Sequence, residues 1–160
     1  DKGVVVGIGT DTLPHNMIEE IRTALILGRA AAGYQQSVTS AQGLHAATVG
    51  GADALLRGDI GRLAVGAKAD LFLADLDHPI MRPERDPWQS LLYSAADRAI
   101  RDVFVDGLQV VKDRRVLTFD MDVLAAELAE GQARMERETP KLDHAGRQGR
   151  EIAPLSLPLA

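Results

Sequence analysis

Apolar and polar positions along the chain fall into blocks of different period. Val4 to Ile8 is an unbroken apolar run, rich in β-branched residues and bounded by Gly3 and Gly9. Such a run predicts a short strand buried on both faces, the kind found in parallel sheets. A loop follows from Gly9 to His15, and Asn16 is placed to cap a helix, with Glu19 three positions on in a capping-box-like pattern. Met17, Ile18, Ile21 and Leu25 then recur at helical spacing, so the helix should run to about Ala31 and stop at Gly33. Thr39 with Gln42 marks a second helix start, and Gly50-Gly51 should break that helix before a short turn over Ala52 to Leu56.

From Gly58 the period changes. Gly58, Gly61 and Gly66 punctuate the chain, and Leu71 to Ala74 reads as a strand. Ala99 to Leu117 reads as a hairpin: Val103-Phe104-Val105 and Val110-Val111 flank Asp106-Gly107, a pair that favours a two-residue type I′ turn. Between them a proline-bearing connector, Pro79 to Pro87, leads to a short helix over Trp88 to Tyr93. Asp122 is placed to cap a last helix with Leu124 and Leu128 on one face, expected to end near Glu138 before Thr139-Pro140. The tail beyond, with Pro154 and Pro158, is expected to be extended or partly disordered.

Composition narrows the classes. With 160 residues, 46% hydrophobic and 26% charged, the chain suits a globular protein with a real core. A net charge of -5 argues against nucleic acid, which needs a basic face. No run is long enough for a membrane span, and there is no cysteine for disulfides or thiolate metal sites, which fits a cytoplasmic protein. The chain opens on Asp1-Lys2 without methionine and runs straight into the apolar strand, the pattern expected of a piece of something longer.

The candidate chemistry begins at Gly7-Ile8-Gly9-Thr10-Asp11. A dinucleotide-binding turn would need a third glycine, and a phosphate-binding loop a following Gly-Lys-Ser/Thr; neither is present. The alternative is a barrel strand ending in a carboxylate, since in (β/α)₈ enzymes the catalytic groups stand at the C-terminal ends of strands. Taken alone, an aspartate in this place is more often a loop cap.

The rest of the chain changes that balance. Gly61-x-Leu63-x-x-Gly66-x-Lys68-Ala69-Asp70-Leu71 resembles the signature with which amidohydrolase superfamily chains leave the barrel and enter an accessory β-sandwich. Leu44-His45-Ala46-Ala47-Thr48 with Gly51-Ala52-x-Ala54-Leu55, and Val103-Phe104-Val105-Asp106-Gly107 with Val110-Val111, resemble the blocks that flank it. Gly9-Thr10-Asp11 and Glu20-x-Arg22 fit as well, in the family's order, and the branch most resembled is the chlorohydrolase and cytosine deaminase-like group.

The resemblance implies an α/β fold: the C-terminal part of a TIM (β/α)₈ barrel plus part of the accessory β-sandwich. Residues 1–57 would form the last strand and helices of the barrel, 58–120 the sandwich strands and connector, and 121–160 a C-terminal helix and tail. It implies that Asp11 takes the place of the aspartate that ends the eighth strand, binds a divalent metal (zinc, or iron) and handles the proton of the attacking water. From its position in the loop after the strand, His15 is the candidate substrate contact, weighed against a solvated loop histidine, which is the favoured reading. The implied reaction is hydrolysis of a C–N bond on a small heterocyclic substrate, as in deamination, or hydrolytic dechlorination. Implied partners are the missing N-terminal part of the same enzyme and further copies in a homo-oligomer, with neither nucleic acid nor membrane.

The chain departs from the family in one respect. Its four histidines, His15, His45, His78 and His144, form no His-x-His, and a catalytic zinc takes about three protein ligands. The chain alone is therefore expected to be inactive and unlikely to hold the metal; the competing reading is a non-catalytic structural or interaction fragment. His45 is expected on the surface, His78 and His144 in loops without a chemical role. Glu20 and Arg22 are expected to tie their helix to its neighbours, Asp70 to cap a turn, and Trp88 and Tyr93 to be core or interface aromatics.

Overall fold

The computed structural model describes residues 3–11 and 15–157. Thr12, Leu13 and Pro14, within the loop expected to carry substrate contacts, and Pro158 of the tail lie outside the described residues. The chain divides into two compact units, Asp1–Leu117 and Thr118–Ala160.

In the first unit, helix α1 spans Met17–Ala32. Asn16 caps it as its position predicts, its side chain accepting from the amides of Ile18 and Glu19, and Gly33 ends it in the left-handed conformation at φ 66°. Glu19 does not complete a capping box; it pairs with Arg22 at 3.4 Å on the same helix, so Arg22 ties α1 to itself rather than to a neighbour. Helix α2 spans Ser40–Ala47 and opens with the expected Thr39–Gln42 capping box. The chain then kinks at Thr48 and re-enters helix as α3, Val49–Ala54, so Gly50 and Gly51 lie inside a helix instead of breaking one.

Strand β1, Leu71–Ala74, joins β2, Ile100–Val105, and β3, Leu108–Lys112, in an antiparallel sheet closed by a two-residue β4, Arg115–Val116. Leu71 stands opposite Phe104 and Val105 opposite Leu108. The Asp106-Gly107 turn has φ of 51° and 80°, the two left-handed residues a type I′ hairpin requires. A second tight turn at Asp113-Arg114, φ 47° and 66°, carries no glycine to announce it. It is held from outside. Asp102, 6% exposed, accepts from the Arg101 guanidinium at 2.8 Å, the Asp113 amide at 3.0 Å and Gln109 at 3.3 Å. The Arg101 hydrogen bond and then the Asp113 amide hold the Asp102 carboxyl below its ordinary pKa.

Between β1 and β2 the chain packs a short 3₁₀ turn, Pro79–Met81, helix α4, Pro87–Ser90, a single π-helical turn, Leu91–Ala95, and a 3₁₀ turn, Ala96–Ala99. These elements bury Met81, Leu91, Leu92, Ala95 and Ala99 against Ile18, Ile21 and Leu25 of α1. The apolar stripe read from α1 is thus the spine of the core. Trp88 sits half-buried beside that core, its indole N–H donating to the Ser40 carbonyl at 2.9 Å, and Arg29 stacks over the Tyr93 ring.

In the second unit helix α5 runs over Met121–Leu142, longer than its sequence suggests. Asp120, not Asp122, is its cap, accepting from the amides of Asp122 and Val123. Pro140 lies within its last turn, where the missing N–H removes one bond and the helix still closes through the Asp143 amide to Thr139 at 2.9 Å. Asp143 then collects the amides of Ala145 and Arg147 and the Arg147 guanidinium, and a short helix α6 follows at Gly149–Ile152. Among the described residues no helix is long and apolar enough to cross a membrane.

Candidate functional site

Residues 4–8 form no strand and pair with none among those described, and Val4, Val5 and Val6 are 73%, 56% and 62% exposed. The expected two-sided burial is not realised within this chain, because a strand needs neighbours on both edges to bury both faces. The segment is nonetheless located. The Ile8 amide donates to the Ala46 carbonyl of α2 at 3.1 Å. On the same side the backbone lies against α3: a Cβ on Gly50 would stand 2.6 Å from the Val6 carbonyl oxygen, and one on Gly7 3.0 Å from the Gly51 Cα. Glycines at 7, 50 and 51 allow two backbones to approach where side chains would hold them apart.

Asp11 ends this anchored segment. Its backbone is left-handed at φ 50°, which aspartate tolerates better than most residues. The side chain is exposed and makes no hydrogen bond or ion pair with another described residue, and the loop it would cap, Thr12 to Pro14, lies outside the described residues. His15 is exposed and lies at the edge of an apolar cleft of about 730 Å³ that Met17, Leu44, Phe72, Trp88 and Val103 help to line. Asp11 is not among the residues of that cleft, so the structure does not bring the two candidates together in one pocket.

The other polar residues singled out in the sequence have structural work. Asp70 accepts from the Asp106 amide at 2.6 Å, Lys68 pairs with Asp106 at 2.7 Å, and the Gly107 amide donates to Ala69 at 3.1 Å. The Lys68-Ala69-Asp70 block is therefore a clasp that holds the β2–β3 turn against the entry of β1. Gly66 makes its own turn at φ 86°. His78 caps the 3₁₀ turn through the Ile80 amide, and His45 and His144 are exposed.

Among the described residues no group of three or more His, Asp or Glu side chains is placed to hold a metal ion. A zinc site takes about three protein ligands and a water. Asp11, a carboxylate with no partner among the described residues, fits one of those ligands; the described residues do not complete the set.

Comparison with known proteins agrees with the folded pattern. Residues 1–110 match the model of the amidohydrolase family, and the chain belongs to that family. It is 38% identical over 138 residues to a 5-methylthioadenosine/S-adenosylhomocysteine deaminase from Haloquadratum walsbyi, covering 83% of this chain and 30% of that protein. Among solved structures it resembles an adenosine deaminase from Xanthomonas campestris with bound zinc: TM-score 0.76, 35% identity, covering 82% of this chain and 31% of the other. It also resembles a variant of an atrazine chlorohydrolase from Arthrobacter aurescens complexed with zinc and atraton. There the TM-score is 0.71 and the identity 26%, covering 80% of this chain and 30% of the other. The chain spans about 30% of the length of the curated relatives it matches.

Proposed function

We propose that this chain is the C-terminal part of a metal-dependent deaminase acting on an adenine nucleoside or a related amino-heterocycle, and that Asp11 is the carboxylate it contributes to the active site. The carrying observation is the placement of Asp11, exposed and without a partner among the described residues, just after an apolar segment that glycines at 7, 50 and 51 let approach α3. The names of relatives at 35–38% identity supply the substrate class. In this reading residues 1–57 belong to the end of a barrel, 58–120 to an accessory β-sandwich, and 121–160 to a C-terminal helix and tail. Further barrel strands, with the remaining metal ligands, come from a preceding part of the same protein.

The chemistry is hydrolytic. Water adds to the ring carbon that bears the amino group, and ammonia leaves. A bound divalent metal supplies acidity to that water, bringing its pKa towards neutrality. Asp11 accepts the water's proton and returns it to the departing nitrogen, work suited to a carboxylate that no described cation engages. His15 stands in the loop after Asp11 as a contact for the substrate. Similarity to the chlorohydrolase favours a second reading, in which chloride rather than ammonia is displaced by the same water.

The test is to express the 160-residue chain alone and the complete open reading frame that contains it, with zinc. Ammonia release from adenosine and 5′-methylthioadenosine, and chloride release from a chlorinated triazine, are then measured. The longer product should release ammonia, and Asp11→Asn should lower its kcat by about 10²–10⁴-fold. The chain alone should release neither product and carry no stoichiometric zinc. Full activity in Asp11→Asn, or tightly held zinc on the chain alone, would contradict this assignment. A start codon directly before residue 1 would instead leave the non-catalytic reading.

A further inference from the structure

Helix α5 exposes an apolar seam with heptad spacing. Met121, Leu124, Leu128, Gly131, Met135, Glu138 and Leu142 are separated alternately by three and four residues along all 22 residues of the helix. That is the a/d pattern of a coiled coil, with Met121, Leu128, Met135 and Leu142 at one core position and Leu124, Gly131 and Glu138 at the other. No residue of the helix is buried, and Leu128, Met135 and Leu142 are 66%, 58% and 84% exposed. Near the middle, Gly131 leaves a gap: a Cβ there would meet nothing within 4 Å.

Charge says what the seam accepts. From Asp120 to Gly131 the helix carries Asp120, Asp122, Glu127 and Glu130 and no base. From Gln132 to Leu142 it carries Arg134, Arg137 and Lys141 against Glu136 and Glu138. Flanking the seam on one side are Glu127, Arg134 and Lys141; on the other are Ala125, Gln132 and Thr139, all uncharged. In a parallel pair each charged flank would face the uncharged one. In an antiparallel pair like flanks meet, which sets Glu127 of each helix beside Arg134 of the other.

We propose that α5 is a self-association helix that pairs antiparallel with α5 of a second copy of this chain. The two-fold axis passes between Leu128 and Gly131. Leu128 of each copy fills the gap at Gly131 of the other, Leu124 packs on Met135, and Glu127 pairs with Arg134 twice over, once for each half of the symmetric contact. Gly131 and Glu138 in the seam and a length of three heptads make the pairing reversible rather than obligate.

The experiment is sedimentation equilibrium of the 160-residue chain across a concentration series, with circular dichroism to confirm helix content. The parent chain should pass from monomer to dimer. Glu127→Arg and Arg134→Glu should each weaken association by about tenfold, since two symmetry-related pairs change from attraction to repulsion. The double variant, which restores opposite charges across the interface, should recover it. Because the chain has no cysteine, orientation is read directly. A mixture of Leu124→Cys and Met135→Cys chains should cross-link between the two variants faster than either does with itself. A parent chain that stays monomeric overturns the proposal, as does association untouched by the charge variants or preferential cross-linking of like with like. So does association of the 160-residue chain that the product of the complete open reading frame does not share, which would mean the seam is covered by another part of the same protein.

Discussion

The adjacent glycines 50 and 51 of α3 offer a matched pair of substitutions for which the structure requires different outcomes. A methyl group at Gly50 would lie 2.6 Å from the Val6 carbonyl oxygen and 3.2 Å from the His45 carbonyl oxygen. Reaching even a tight contact of 3.0–3.4 Å from Val6 requires a displacement of roughly 0.4–0.8 Å, and both obstacles are backbone. Overpacking of that kind costs about 1–3 kcal/mol, while alanine in place of glycine in a helix interior returns about 1 kcal/mol. At Gly51 the nearest atom to the added methyl is the Ala46 carbonyl oxygen at 3.6 Å, an ordinary contact, so only the helix-propensity gain remains. Gly51→Ala should therefore be more stable than the parent by about 1 kcal/mol, and Gly50→Ala less stable than Gly51→Ala by about 1–3 kcal/mol. For a chain of this size each kcal/mol moves the melting temperature by about 2–4 °C, so calorimetry separates the two. Hydrogen exchange supplies the structural readout. The Ile8 amide, bonded to Ala46, should lose protection in Gly50→Ala and keep it in Gly51→Ala. If Gly50→Ala melts as high as Gly51→Ala and Ile8 stays protected, the segment carrying Asp11 is not positioned by backbone contact with α3.

Three further outcomes follow from the same packing. Leu25, 1% exposed at the centre of the core, should cost about 2–5 kcal/mol when changed to alanine, measured by denaturant unfolding; a loss under about 1 kcal/mol would place the core elsewhere. Asp143, with the Arg147 guanidinium and then the Arg147 amide bonded to it, has its pKa lowered to about 2 from an ordinary 3.8. Its depressed value means the stabilisation of the α5 terminus is complete above about pH 4 and lost as pH falls towards 2. Amide protection at Ala145 and Arg147 should fall in that window, and Asp143→Asn should abolish the dependence. Asp102→Ala should open the second hairpin turn, seen as faster exchange at the Asp113 amide with the Asp106-Gly107 turn unchanged; equal exchange at both turns would refute a local role.

The helix starts were readable because capping is local chemistry. Asn16, Thr39 with Gln42, and Gly33 act on amides or backbone angles within a few residues of themselves. The Asp106-Gly107 hairpin was readable for the same reason, since both residues accept positive φ without help. The Asp113-Arg114 turn was not, because nothing in its own sequence favours a left-handed arginine. It depends on Asp102 from β2 and on the Arg114 side chain reaching Asp75 at 2.8 Å. Gly50-Gly51 misled for a related reason: local propensity marks glycine as a helix breaker, whereas here it lets α3 touch residues 6 and 7.

Asp11 divides in the same way. Its carboxylate, its place behind an apolar β-branched run and the downstream blocks that resemble the family are properties of residue order, visible without coordinates. The left-handed backbone, the bond from Ile8 to Ala46 and the glycine contacts that hold the segment on α3 join residues about 40 apart in the chain, and only the folded chain brings them together. Local hydrogen bonding and periodicity act over a few residues and can be read from order. The position of an exposed carboxylate is set by packing between distant backbones, and tertiary structure alone decided it.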